Sequence, residues 1–168
     1  MNNKETIILC GFTSSGKTTI GRCLAERLNL PFFDTDQMII EHNHMTIAEI
    51  FAKGGEALFR ELEYEAAKQI CEIGPAVVST GGGMLTFARN GELLKKSGRI
   101  IYIDRPFEAC YRSLSAMPNR PLFKNNTREQ LENLYIERKK KYMVYVTDVV
   151  KNDRTPEAAA EKICKTIL

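Results

Sequence analysis

Residues 11–18 read Gly-Phe-Thr-Ser-Ser-Gly-Lys-Thr, a complete G-x-x-x-x-G-K-[ST] loop. The apolar run Ile7-Ile8-Leu9-Cys10 before it has the character of a strand buried on both faces. Behind it Ile20, Leu24 and Leu28 recur at helical spacing, with Arg22, Glu26 and Arg27 on the other side. Strand, glycine loop and helix in that order make an anion cradle. Loop N–H groups and the helix N-terminus face the anion, and Lys17 adds a point charge. The Thr18 hydroxyl is placed to ligate magnesium on the phosphates. The ligand implied is a nucleoside triphosphate.

Four more short apolar runs follow: Pro31-Phe32-Phe33, Ala76-Val77-Val78-Ser79, Arg99-Ile100-Ile101-Tyr102-Ile103 and Val146-Thr147-Asp148-Val149-Val150. Helical patterns separate them. One spans Phe107 to Leu114, a long one Thr127 to Tyr145, and a last one begins at Pro156 with Thr155 as its N-cap. Alternating strands and helices predict a parallel sheet covered on both faces, an α/β/α arrangement with right-handed crossovers. The 168 residues suffice for one domain, 1–168, with a full core. Ligands in such a sheet bind beyond the carboxyl ends of the strands, so the residues there are the ones to inspect.

After the second strand comes Asp34-Thr35-Asp36. Asp36 could cap a helix beginning at Gln37. The other reading is that a carboxylate beside the phosphate loop holds magnesium or takes a proton from an attacking hydroxyl. After the third strand comes Gly81-Gly82-Gly83, either a turn or a place where backbone approaches a ligand. Arg60 has Glu56 four residues before it and Glu63 three after, a spacing that by itself describes a solvated, ion-paired helix face. Arg138 is the lone charge on a stripe of Leu131, Leu134, Tyr135 and Tyr142. A buried arginine there needs an anion, from a ligand carboxylate or from Glu63. Ser115 to Asn126 is polar, with Pro118 and Pro121, and no apolar pattern ties it to the core. It reads as a lid carrying Arg120.

Composition narrows the partners. The net charge of +3 is too small to argue for nucleic acid, and no stretch approaches a membrane span. The N-terminal apolar run is too short for a signal peptide. Five cysteines, an odd number without a C-x-x-C, are expected as reduced, mostly core residues in the cytoplasm. His42 and His44 have no companions at metal-ligand spacing and are expected on the surface.

Taken together the motifs resemble the shikimate kinase family. The resemblance rests on the phosphate loop, Asp34-Thr35-Asp36, Phe59-Arg60-x-x-Glu63, Gly81-Gly82-Gly83, Arg120-Pro121-Leu122 and Arg138-x-x-x-Tyr142, which span nearly the whole chain. It implies a phosphate-loop kinase fold like that of nucleoside monophosphate kinases, with a five-stranded parallel sheet. Substrate-binding helices would fall at about 36–72 and a mobile lid at about 112–126. It implies transfer of the ATP γ-phosphate to the 3-hydroxyl of shikimate, by a monomer. Ser14, Ser15, Gly16, Lys17, Thr18 and Thr19 would bind the phosphates. Thr18 would ligate Mg²⁺, and Asp34 would reach it through water. Asp36 would bind shikimate hydroxyls and serve as base; Arg60 and Arg138 would grip the carboxylate; the Gly82 backbone would touch the substrate. Glu63 would orient Arg60. Arg120 would come from the lid, and Arg112 and Arg154 would flank the adenine. Two departures stand out: Ser14 where many family members have glycine, and a distinct segment between Arg112 and Arg120.

Rival readings are a gluconate or nucleoside monophosphate kinase, a GTP-driven switch and a non-catalytic nucleotide-binding module. A switch would want Asn-Lys-x-Asp, and the nearest segment, Val150-Lys151-Asn152-Asp153, does not match. An inactive module would be expected to lose Lys17, Asp36 or Arg120, and all three are present.

Overall fold

A computed structural model describes residues 5–167. The strands are β1 (Thr6–Cys10), β2 (Phe32–Asp34), β3 (Val77–Ser79), β4 (Gly98–Asp104) and β5 (Asp148–Lys151). They form one parallel sheet in the order β2-β3-β1-β4-β5. The helices are α1 (Lys17–Leu28), α2 (Thr35–Asn43), α3 (Ile47–Glu72), α4 (Ala88–Ser97), α5 (Phe107–Ser115), α6 (Pro121–Lys124), α7 (Arg128–Tyr142) and α8 (Pro156–Ile167).

Period-two alternation on β1 builds the two cores. Ile7 and Leu9 face α1 and α8, meeting Ile20, Leu24, Ala160 and Ile163. Ile8 and Cys10 face the other layer, meeting Ile50, Ala67, Ile70 and Leu94 from α3 and α4. β1 is buried along its whole length, which is why its sequence is an apolar run rather than an alternating one. Each such side chain contributes about 1.5–3 kcal/mol by leaving water. The three-layer α/β/α expectation with five parallel strands is met.

Several boundaries differ from expectation. Helix α2 begins at Thr35, and its cap is Asp34, whose side chain accepts from the N–H groups of Asp36 and Gln37. Asp36 is therefore not the cap. Helix α7 stops at Tyr142, and β5 begins at Asp148, because residues 143–147 turn back toward β4, where Thr147 N–H donates to Ile100 O at 2.8 Å. Helix α3 is broken at Gly55, which has φ 65°.

The segment expected as a lid from about 112 is helical up to Ser115, and α6 lies inside it. It also has an apolar anchor: Phe123 packs on a third cluster of Phe12, Cys110 and Leu114 and stacks near Tyr111. Both histidines are exposed, as expected. The five thiols are free, and Cys10 and Cys110 are buried, but Cys71 is exposed rather than in the core.

Candidate active site

All five strands end on one edge, and the chemistry-bearing residues follow them there. The loop after β1 closes on itself through Ser15 N–H to Phe12 O at 3.0 Å. Gly16, with φ 96°, starts α1; a Cβ there would sit 2.7 Å from the Asn152 amide, which donates to Ser15 O at 2.8 Å. Lys17 is buried, and its ammonium donates to Gly11 O, Phe12 O and Ser15 Oγ at 2.8, 2.9 and 3.4 Å. Burial pulls its pKa down to about 8.

Ser14 is the loop's unusual residue. It adopts φ 64°, a left-handed conformation that costs a residue with a Cβ about 1–2 kcal/mol. Its hydroxyl is buried and has no hydrogen-bond partner among the described residues. Its carbonyl accepts from Arg105 Nη1 at 2.6 Å, a charge-assisted bond worth about 1.5–3 kcal/mol.

Beside the loop, Thr18 Oγ1 donates to Asp34 Oδ2 at 3.1 Å and lies 3.4 Å from Ser79 Oγ. Asp34 Oδ1 is occupied in capping α2, so its other oxygen is the one aimed at Thr18. A hydroxyl and a carboxylate at the mouth of a phosphate loop fit magnesium, which takes hard oxygen ligands and leaves the rest of its shell to water and phosphate. No cluster of three His, Cys, Asp or Glu occurs among the described residues.

Relieved of the capping duty, Asp36 faces the cleft. Its Oδ1 is buried without a partner among the described residues. Burial raises its pKa, Asp34 adds to the rise, and Lys17, Arg120 and Arg60 oppose it. A carboxylate with a free oxygen and a raised pKa can take a proton from a hydroxyl placed against it.

Asp36 lines three openings, one of them toward Phe32, Phe33 and α2, and two that share a wall. One of these two, of about 230 Å³, is lined by Thr13, Ser14, Lys17, Thr18 and Asp34; the other, of about 250 Å³, by Phe59, Arg60, Glu63, Gly83 and Arg138. They share Thr13, Asp36, Gly81, Gly82 and Arg120 as a common wall. Arg60 Nη1 bonds Glu63 Oε2 at 2.7 Å, with Glu63 only 1% exposed, and Arg60 lies over the rings of Phe59 and Phe87. Arg138 is half-buried, and no carboxylate of the described residues comes within salt-bridge distance of it. Glu63 thus belongs to Arg60, not to Arg138.

The glycine strip runs close beside the tips of three side chains of the cleft. A Cβ on Gly81 would sit 2.8 Å from Asp36 Oδ1, on Gly82 3.1 Å from Arg138 Nη1, and on Gly83 2.5 Å from Arg60 Nη1. None of the three has positive φ. Tyr142 OH donates to Gly82 O and fixes the strip from below. The strip is at the same time a turn, with Met84 N–H donating to Gly81 O at 3.2 Å, so the turn reading is met, and the close neighbours of its backbone are side chains of the cleft.

Arg112 and Arg154 come together, with Thr19, Asn152 and Arg105, around a further opening on the far side of Gly16. Both are exposed. Arg105, Asn152 and Ser79 were not singled out in the sequence. Their positions after β4, after β5 and at the end of β3 were the available signal.

A phosphate cradle alone would suit a switch or a transporter as well as an enzyme. Here a second, arginine-lined cleft opens onto it across one carboxylate, which is the layout of a phosphate-loop kinase with a small anionic acceptor. Comparison with known proteins agrees. The family model described as shikimate kinase matches residues 13–168. The shikimate kinase of Aquifex aeolicus is 37% identical over 158 residues, 94% of this chain and 92% of that one. The structure of "Shikimate kinase from Acinetobacter baumannii in complex with shikimate" superposes with a TM-score of 0.91 at 33% identity, covering 98% of this chain and 93% of the other. A gluconokinase from Sinorhizobium meliloti reaches a TM-score of 0.60 at 14% identity over 98% of this chain and 95% of its own, a likeness of fold alone. The chain belongs to the shikimate kinase family.

Proposed function

We propose that this enzyme transfers the γ-phosphoryl group of ATP to the 3-hydroxyl of shikimate, giving ADP and shikimate 3-phosphate. The observation that carries the choice of acceptor is Arg138. A half-buried guanidinium without a carboxylate partner among the described residues, one glycine strip away from Arg60, calls for a small ligand bearing a carboxylate. Shikimate supplies that carboxylate and ring hydroxyls. The shikimate complex named for the Acinetobacter baumannii relative supports the same acceptor.

In this reading the amides of residues 14–19 and the Lys17 ammonium orient the phosphates. Arg60 and Arg138 grip the carboxylate against the Gly82 backbone, which turns the 3-hydroxyl toward Asp36. Asp36 accepts the hydroxyl proton as the oxygen bonds to the γ-phosphorus and the bond to the β-phosphate oxygen breaks. Arg120, on the wall shared by the two openings, closes over the transferring group as the 116–126 segment moves in. Arg112 and Arg154 flank the adenine. Magnesium, held by Thr18 and through water by Asp34, would neutralise charge on the phosphoryl oxygens when bound.

We place the enzyme in the cytoplasm as a monomer. The free thiols suit a reducing compartment, and no helix among the described residues is long and apolar enough to cross a membrane. ADP release measured with shikimate, gluconate and a nucleoside monophosphate as acceptors tests the function. Turnover with shikimate alone is expected. Turnover with another acceptor and none with shikimate would overturn it.

A further inference from the structure

Three features meet at the apex of the phosphate loop. Ser14 has a left-handed backbone that glycine would adopt without cost. Its hydroxyl is buried without a partner among the described residues. Its carbonyl is held at 2.6 Å by Arg105, which reaches in from the end of β4. The first two work against the loop conformation, and the third works for it.

Arg105 is itself fixed from several sides. The same Nη1 donates to Ser113 Oγ of α5 at 3.0 Å. The Arg105 carbonyl accepts from Tyr135 OH of α7 at 2.7 Å. Its backbone leaves the sheet directly after β4, a strand paired on both sides. A guanidinium anchored this way can impose a geometry on a peptide group rather than follow it. Arg105 also lines, with Arg112, Asp153 and Arg154, the opening beyond Gly16.

We propose that Arg105 is a positioning residue: it holds the Ser14 peptide in its left-handed conformation and thereby presets the phosphate-binding shape of a loop that lacks glycine at this position. The inference rests on the kinase reading for its readout, since the quantity moved is nucleotide affinity. Arg105 acts through Ser14, so its importance depends on what stands at position 14. Without Arg105 the loop relaxes toward conformations that a serine prefers, and the phosphates must reorder it. With glycine at 14 the left-handed state is open without help, and Arg105 becomes dispensable.

The test is a double-mutant cycle on MgATP affinity, by titration calorimetry, with wild type, Arg105→Ala, Ser14→Gly and the double variant. Thermal melting is recorded for each first. Arg105→Lys, which keeps the charge but not the planar fork, replaces the alanine variant if that one melts below the assay temperature. Arg105→Ala is expected to weaken MgATP binding about tenfold in the Ser14 protein and less than about twofold in the Ser14→Gly protein. Shikimate affinity without nucleotide should be unchanged in all four. An equal loss in both backgrounds would mean that Arg105 touches the nucleotide directly and would overturn the proposal. So would no loss in the Ser14 protein. A wild-type protein that does not bind MgATP would overturn the kinase reading and this inference with it.

Discussion

In the acceptor cleft Arg60 is fixed by the buried carboxylate of Glu63, Nη1 to Oε2 at 2.7 Å with Glu63 1% exposed. Burial raises the pKa of Glu63, and Arg60 works against that rise. Three residues apart on α3, the two project from one face. The pairing sets Arg60 over Phe59 and Phe87 and brings its guanidinium to Gly83. Arg138, across the strip, has no such orienting partner among the described residues and is open to an anion.

That asymmetry separates the two arginines. Both substitutions remove binding that ground and transition states share, so shikimate KM should rise about 10- to 100-fold, with ATP KM and kcat less affected. Arg60→Ala also strands Glu63 in the core and should cost about 3–5 kcal/mol of stability. Arg138→Ala should cost well under half of that. Steady-state kinetics with denaturant unfolding of both variants checks this. Equal destabilisation, or an unmoved shikimate KM, would be the wrong result.

Asp36 should matter in the transition state and weigh against the fold. Asp36→Asn is expected to lower kcat by about 10²- to 10⁴-fold. Its folded pKa is raised above the unfolded value. Its contribution to stability is therefore fully present below about pH 4, the ordinary aspartate range, and is lost as pH rises through the folded pKa. Asp36→Asn escapes that loss. The variant should melt above wild type at neutral pH, with the gap closing in acid. A variant of normal kcat, or one that melts below wild type at neutral pH, would count against the assignment.

Lys17 makes nucleotide binding pH-dependent. With a pKa near 8 in the free protein, it is partly neutral in mild alkali, and an incoming polyphosphate favours the ammonium. MgATP affinity should fall as pH rises through about 8, and binding there should take up a proton. Calorimetry in two buffers of different ionisation enthalpy measures the uptake directly. Lys17→Met should abolish it.

Arg120 caps α6 and is exposed, on the wall between the two openings. As a lid arginine reaching the γ-phosphate it should be worth at least about 10³-fold in kcat, with little change in shikimate affinity. Arg120→Ala with kcat within about threefold of wild type, a barrier change of well under 1 kcal/mol, would make it a plain surface residue. The Phe123 anchor adds a second expectation: Phe123→Ala should lower kcat by loosening the segment that carries Arg120.

How much of this was legible depended on how local the cause was. The phosphate loop, the parallel sheet and the residues after each strand follow from short-range pattern. The triple glycine was readable as a close approach but not as room for three particular side chains, since Asp36, Arg60 and Arg138 come from three different helices, α2, α3 and α7. Asp34 and Asp36 are equally good caps in sequence. What decides between them is that β2 runs on to Asp34, which pairs with Ser79 of β3, a non-local bond. Arg105 sits in Asp104-Arg105-Pro106, which looks like any exposed turn; its partner Ser14 lies 91 residues away. The Phe123 anchor carries no local pattern because its neighbours come from the phosphate loop and α5.

The most direct test of the whole account is where the phosphate goes. Incubated with MgATP and shikimate, the enzyme should give a product whose phosphorus, in a proton–phosphorus NMR correlation, couples to the proton on carbon 3 of the ring. One equivalent of ADP should appear per product, and none when shikimate is omitted. Phosphorus on another hydroxyl, or ADP released with inorganic phosphate and shikimate unchanged, would contradict the proposed placement of the 3-hydroxyl against Asp36.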